Sequence, residues 1–355
     1  MDKVRIGIIG GGFMAQMAHL PSLAAIPEAD VVALCDPRRQ AAEALAAKWD
    51  IGRVTTSAEE LVGMDLDAVL VLTPVEWHRH HITLALEAGR HVFTEKPITL
   101  SAASGDSLKA LAHEKRRTVM VGYMKRHEYN LAAALDDVAE RDFGQPLFLR
   151  CHSFIGADWD ARVTQLYHLI GSEESKEAGD GDRDHGPQWL DQPRDDAFYS
   201  FKNPFYALLD TGCHTVNLMR YLAGRTPDVL SAECKRGTRL ATFDFGDFLG
   251  TMEFAVNFDV HRWDEVGELY LERGALKVFT PQPTFTQAAA KVEIYSERGN
   301  VHSFCTYGEN NDWAFLRQMK AFVTAVRNDA VDHGAIADAQ QDVAVMERIY
   351  QLESR

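Results

Sequence analysis

The 355-residue chain has no apolar run approaching the ~18 residues that a membrane-spanning helix needs, so no such span is expected. Cysteine is scarce: Cys35, Cys151, Cys213, Cys234 and Cys305 are an odd number with no C-x-x-C pair. That argues against a disulfide framework or a thiolate zinc site and fits reduced thiols in the cytoplasm. Basic residues are outnumbered, 37 Lys and Arg against 52 Asp and Glu, for a formal net charge of −15. Such a chain repels phosphate backbones and anionic lipid, so neither nucleic acid nor a membrane surface is an expected partner. Fixed-period repeats and low-complexity tracts are also missing. Met1-Asp2-Lys3 runs straight into an apolar stretch closed by glycines, too short for a signal peptide.

What is present is an ordinary globular composition, 46% hydrophobic and 25% charged. Domains of about 100–200 residues make two the natural number, and we place them at 1–124 and 125–355. In the first, short apolar runs at 4–9, 31–35, 68–72, 91–94 and 118–121 read as buried strands. Helical patterns at 13–25, 38–49, 76–88 and 101–115 separate them, with Ser101 as an N-cap. Strands alternating with helices imply a parallel sheet covered on both faces, an α/β fold.

The pattern changes after about residue 122. A helix at 130–142 and a strand at 146–155 precede a polar, acidic stretch, 156–203, that reads as a functional insertion or loop. It holds Gly171-Ser172-Glu173-Glu174 and Asp180-Gly181-Asp182, together with Trp159, Trp189, Tyr199 and Phe201. With Phe205 and Tyr206 just beyond, these aromatics read either as a stacking surface for a sugar ring or as a small core of their own. A helix then starts near Asp210, followed by strands at 251–260, 268–271, 275–279, 292–295 and 301–305, joined by turns of the antiparallel kind. Helices at 312–327 and 338–353 close the chain, so the second domain is expected to be α+β around a large, mostly antiparallel open sheet.

Gly10-Gly11-Gly12-Phe13-Met14-Ala15 fits G-x-G-x-x-A at a strand-to-helix junction, the context in which glycines admit a pyrophosphate to a helix N-terminus. Asp36 ends the next strand, where a carboxylate accepts hydrogen bonds from both ribose hydroxyls and repels a 2′-phosphate. NAD is therefore the expected cofactor, with NADP the alternative because Arg38 and Arg39 follow so closely.

Two segments offer acid–base chemistry. Thr94-Glu95-Lys96-Pro97 ends a strand at the carboxyl edge of the sheet, and Lys96 can donate to a substrate oxygen or be a plain surface lysine. Pro97 restricts the lysine backbone and is a candidate cis site. Asp210-Thr211-Gly212-Cys213-His214 puts an acid and a histidine four apart on one helix face. Histidine suits a general base near neutrality, while Asp210 reads equally as an N-cap and His214 as an ordinary helix histidine. Trp77-His78-Arg79-His80-His81 carries three histidines on a helix with no ligand to complete a metal set, so no metal is expected. Cys213 reads as a small packed residue rather than a nucleophile.

Taken together these segments resemble the glucose–fructose oxidoreductase, inositol dehydrogenase and rhizopine-catabolism (Gfo/Idh/MocA) family. The glycine signature is followed by His19, and Thr73-Pro74-Val75-Glu76-Trp77-His78 is similar to its Thr-Pro-Asn-x-x-His. The run from Ala85 to Pro97 and Val121-Gly122-Tyr123-Met124-Lys125-Arg126 also resemble family segments, as does Asp210-x-Gly212-x-His214. The resemblance implies a Rossmann domain and oxidation of a secondary hydroxyl on a sugar, cyclitol or related polyol. It implies catalytic roles for Lys96, Asp210 and His214, with His214 as base. The implied cofactor contacts are Gly10, Gly12, Phe13, Met14, Asp36, Arg38, Thr73, Pro74, His78, Glu95 and Lys96. The implied substrate contacts are Lys96, Tyr123, Arg126, Asp210 and His214, and the implied assembly is a homodimer or homotetramer through the second sheet. Relatives that eliminate or hydrolyse glycosides through tightly bound NAD, and non-catalytic regulators, are the competing readings. Two departures stand out: Val75 replaces the usual Asn, and Pro204-Phe205-Tyr206-Ala207-Leu208-Leu209 replaces a glycine-rich approach to Asp210.

Overall fold

A computed structural model describes residues 3–156, 169–171, 182–258, 262–286, 288–298, 301–308, 313–332 and 334–354. Trp159, the acidic residues 172–181 and residue 312, where the first closing helix was expected to begin, lie outside the described residues. The chain divides into two compact units. One joins Met1–Gly122 with Val163–Tyr206 and Gln318–Val343; the other joins Tyr123–Arg162 with Ala207–Arg317 and Ala344–Arg355.

The first unit is built on a parallel sheet of β1 (Val4–Ile9), β2 (Ala29–Cys35), β3 (Arg53–Thr55), β4 (Ala68–Val71), β5 (His91–Thr94) and β6 (Val119–Val121), in the order β3-β2-β1-β4-β5-β6. Its inner strands are buried on both faces, as near-continuous Val, Ile and Leu runs require: Ile6, Ile8, Val69, Leu70, Val92 and Phe93 are fully buried. Strand order reverses beside β1, between β2 and β4, which opens a crevice at the carboxyl ends of β1 and β4. β3 and the short helix Ala58–Val62 were not expected, although Ser57 caps that helix by accepting from Glu60 N–H at 3.1 Å.

The second unit holds β7 (Pro146–Gly156), β8 (Asp228–Lys235), β9 (Thr238–Asp244), β10 (Leu249–Phe258), β11 (Trp263–Leu271), β12 (Gly274–Phe279), β13 (Lys291–Arg298) and β14 (Val301–Tyr307). Their order is β14-β13-β12-β11-β7-β10-β9-β8, antiparallel except for the parallel pair β7·β10. Alternation along β7 sorts its faces: Leu149, Cys151, Ser153 and Ile155 are buried, while Arg150 is exposed. The helix Cys213–Ala223 packs on the buried side of β7 and β11, close enough that a Cβ on Gly267 would lie 2.7 Å from Leu222. Helix Tyr129–Glu140 packs on β13 and β14. The opposite face carries exposed Leu249, Tyr270 and Phe304 among polar pairs such as Arg150–Glu253 and His152–Asp264. Among the described residues no helix is long and apolar enough to cross a membrane.

Candidate active site

β1 runs into Gly10 at φ +102°, and a Cβ there would lie 2.7 Å from the Leu72 carbonyl oxygen. Only glycine makes this turn at no steric cost. A Cβ on Gly12 would meet nothing within 4 Å, so its backbone stands open to a ligand, as a pyrophosphate site requires. Ala15 is fully buried against the sheet. The expected α-helix over 13–25 instead has a π-turn at Ala15–His19 before the α-turns Leu20–Ala24. Pro21 is the physical reason, since it brings no N–H to the carbonyl four residues back.

Asp36 is buried at the end of β2. Its Oδ2 accepts from Gly11 N–H at 2.8 Å and Arg38 Nη2 at 2.9 Å, and its Oδ1 from Arg38 N–H at 3.0 Å and Nε at 2.9 Å. Burial pushes its pKa up, but the Arg38 guanidinium and the two backbone N–H groups outweigh that and hold it below the usual carboxylate range.

At the end of β5, Glu95 is buried with Oε1 2.7 Å from His19 Nε2 and Oε2 accepting from Lys96 N–H at 3.1 Å. Burial raises its pKa, and His19 and Lys96 together pull it below its ordinary value. The Lys96–Pro97 bond is cis, and the Lys96 side chain is half-buried. His78 is buried and bridges two loops, Nδ1 at 2.8 Å from the Pro97 carbonyl and Nε2 at 2.8 Å from the Thr73 carbonyl. Burial pushes its pKa down, so it serves this edge as a loop tie. Thr73 is half-buried and Pro74 exposed; Val75, the departure from the usual Asn, is buried.

Part of the expected insertion belongs to this same unit. Asp184 N–H donates to the Glu76 carbonyl at 2.7 Å, and its carboxylate accepts from Leu100 N–H and the Ser104 hydroxyl, each at 2.9 Å. The Tyr206 hydroxyl donates to Glu76 Oε2 at 3.2 Å, and the Arg183 guanidinium lies over the rings of Trp77 and Tyr199. The aromatics in and just after the insertion divide: Phe198 and Phe205 are fully buried, and Trp189 and Phe201 are exposed.

In the second unit Asp210 lies in a π-turn, Leu208–Gly212, that runs into the helix Cys213–Ala223 with His214 in its first turn. Helical structure begins earlier, at Pro204, where Asn203 Oδ1 accepts from Phe205 and Tyr206 N–H at 2.9 and 3.2 Å. Asp210 is therefore interior to the helical run rather than its N-cap. Cys213 is buried with its thiol donating to the Asp210 carbonyl at 3.2 Å. Arg126 Nε donates to Asn217 Oδ1 at 2.9 Å, three residues along the helix from His214 and so beside it on one face. Tyr123 is buried. Next to Arg126, buried Lys125 pairs with buried Glu265, which also accepts from the Thr280 hydroxyl at 2.5 Å. Sequence reasoning singled out neither member of that pair. Among the described residues no three His, Cys, Asp or Glu side chains group to hold a metal ion.

Residues 4–123 match the family described as oxidoreductase, NAD-binding Rossmann fold (GFO_IDH_MocA). Inositol 2-dehydrogenase 3 of Saccharopolyspora erythraea is 31% identical over 152 residues, 42% of this chain and 44% of that protein. The first curated relatives are thus matched over less than half their own length. Two solved structures share the fold over nearly the whole chain. Levoglucosan dehydrogenase with NADH and levoglucosan has a TM-score of 0.77 at 17% identity, covering 99% of this chain and 98% of its own. A 3-ketoreductase from Actinomadura kijaniata with NADP and TDP-benzene has 0.74 at 19%, covering 99% and 98%. The glycine turn, Asp36 and the Glu95-Lys96-Pro97 edge all lie inside the segment that matches the Gfo/Idh/MocA oxidoreductase family.

Proposed function

We propose that the chain oxidises a secondary hydroxyl of a sugar, cyclitol or related polyol, or reduces the matching ketone, with a nicotinamide dinucleotide. The observation that carries this reading lies in the first unit. One sheet edge presents the open glycine turn, a ribose-reading carboxylate on Asp36, and a lysine fixed by a buried glutamate. When bound, the dinucleotide supplies the hydride acceptor. Oxidation also releases the hydroxyl proton, and His214 takes it, an imidazole being matched to proton transfer near neutral pH. The Lys96 ammonium donates to the oxygen as it gains alkoxide character, and Asp210 holds a neighbouring hydroxyl of the ring. A ketone takes the reverse path, with His214 returning the proton.

The open face of the second sheet is the surface through which copies of the chain assemble in this reading, since its exposed Leu249 and Tyr270 sit opposite Phe148 on the two strands flanking β7. The buried thiols of Cys35, Cys151 and Cys213 suit a reducing compartment such as the cytoplasm.

The test is nicotinamide absorbance in purified chain mixed with NAD or NADP and a panel of sugars, cyclitols and amino sugars. Wild type should turn over at least one of them. His214→Ala should lower kcat by about 10²–10⁴ with KM little changed. A variant that loses KM alone would take the base role from His214, and silence across the panel with both cofactors would take the dehydrogenase reading from the chain.

A further inference from the structure

The carboxylate that would read the adenosine ribose is already saturated. A carboxylate offers about four acceptor positions, two per oxygen. On Asp36 all four meet protein donors: Arg38 N–H and Nε on Oδ1, Gly11 N–H and Arg38 Nη2 on Oδ2. A ribose diol needs the same two oxygens, one for each hydroxyl, and reaches them only where the Arg38 fork has left.

Arg38 is held in that position from its other side. Its Nη1 donates to the Gly171 carbonyl at 3.0 Å. The residue before Gly171 is clipped in both directions by one amide: Gln16 Nε2 donates to the Ile170 carbonyl and Ile170 N–H donates to Gln16 Oε1, each at 2.9 Å. Gln16 also donates to the Gly11 carbonyl at 2.9 Å, so the clip stands on the glycine turn itself. Gly171 has φ +72°, and a Cβ there would lie 2.6 Å from Ala41 Cβ. The strap therefore seats against the start of the helix Arg39–Trp49 only as glycine.

We propose that Gly171 and Gln16, acting through Arg38, set the choice between NAD and NADP. The strap holds the Arg38 fork on Asp36, which opposes a free 2′-hydroxyl and shields a 2′-phosphate from the carboxylate charge. The inference rests on the dinucleotide reading above. NAD must displace the fork to bond Asp36, at the loss of two charge-assisted hydrogen bonds. NADP, which a bare carboxylate repels, meets one whose charge is already paired. Asp36 stays ionised despite its burial, so pairing with Arg38 rather than protonation provides the neutralisation.

Fluorescence titration of NADH and NADPH on the full chain measures the ratio Kd(NADPH)/Kd(NADH). Arg38→Ala bares Asp36 and should raise the ratio about tenfold, the effect of one unpaired charge near the phosphate. Gly171→Ala unseats the strap and should raise it in the same direction by a smaller factor. Structural damage weakens both nucleotides alike, so an unchanged ratio in Arg38→Ala overturns the inference, as does a fall. An unchanged ratio in Gly171→Ala alone overturns the part assigned to the strap. Wild-type chain that binds neither nucleotide overturns the dinucleotide reading instead.

Discussion

His19→Ala strands a buried carboxylate. Glu95 is 6% exposed and the His19 side chain is fully buried, and their 2.7 Å contact is the largest influence holding the Glu95 carboxyl down against burial. The variant leaves Glu95 only the Lys96 N–H at 3.1 Å and the Lys96 charge, and it removes the edge contact of the imidazole with Phe93. Removing one partner of a buried pair costs about 3–5 kcal/mol. At roughly 2–4 °C per kcal/mol for a unit of this size, the first unit should melt about 6–20 °C earlier in calorimetry. Glu95→Gln keeps the shape and should cost less, about 1–2 kcal/mol. It also carries a pH signature. A carboxyl whose folded pKa is depressed stabilises fully above its unfolded value of about 4.3, and that contribution is lost as the pH falls through the folded value. The deficit of Glu95→Gln relative to wild type should therefore be full at neutral pH and shrink below about pH 4. A His19→Ala loss under about 1 kcal/mol, or a Glu95→Gln deficit equal at both pH values, would refute the argument.

Lys125→Met leaves Glu265 in the second unit with Thr280 and Ser153 but no cation, and should destabilise by about 3–5 kcal/mol in denaturant unfolding. Adding Glu265→Gln should recover part of that loss, and a double variant that shows simple additivity would mean the two do not act as a pair. On the open sheet face, Leu249→Glu should lower the assembled mass in sedimentation while leaving the melting of the first unit in place; an unchanged mass would exclude that face as the interface.

What the sequence made legible was local. β1 and β5 have the bounds their apolar-rich runs set, 4–9 and 91–94, because a largely buried strand announces itself as an apolar-rich run even where Arg5 or His91 interrupts it. Signals just as local were passed over where they were short. Ser57 and Glu60 have capping-box spacing ahead of a helix of only five residues. Arg236-Gly237, both at positive φ, turn β8 into β9, a hairpin whose strands alternate too weakly to stand out in sequence. The second unit's sheet was expected to be mostly antiparallel, as it is; among the described residues its one parallel pair, β7·β10, joins strands separated by the whole insertion, a pairing that no turn specifies.

The site divides along the same line. The glycine turn, Asp36 and Lys96 are each read from their own neighbours in sequence. What fixes them is not: His19 lies 76 residues from Glu95, Arg38 lies 133 from Gly171, and Lys125 lies 140 from Glu265. For His19–Glu95 and Lys125–Glu265 a polar group is buried only because a distant partner satisfies it, and a buried polar group without one costs too much to persist. A titratable residue inside an apolar pattern is thus a sequence-level sign that such a partner exists, though not of which residue it is. His19, between Ala18 and Leu20, carried that sign; Lys125, followed by Arg126, His127 and Glu128, did not. Asp36 shows why the partner matters for function. By sequence it is a ribose reader, and by contact it is a carboxylate whose acceptor positions are taken by Arg38 and Gly11. The chemistry open to it therefore depends on what holds Arg38, and the Gly171 strap that does so reaches it from beyond β7.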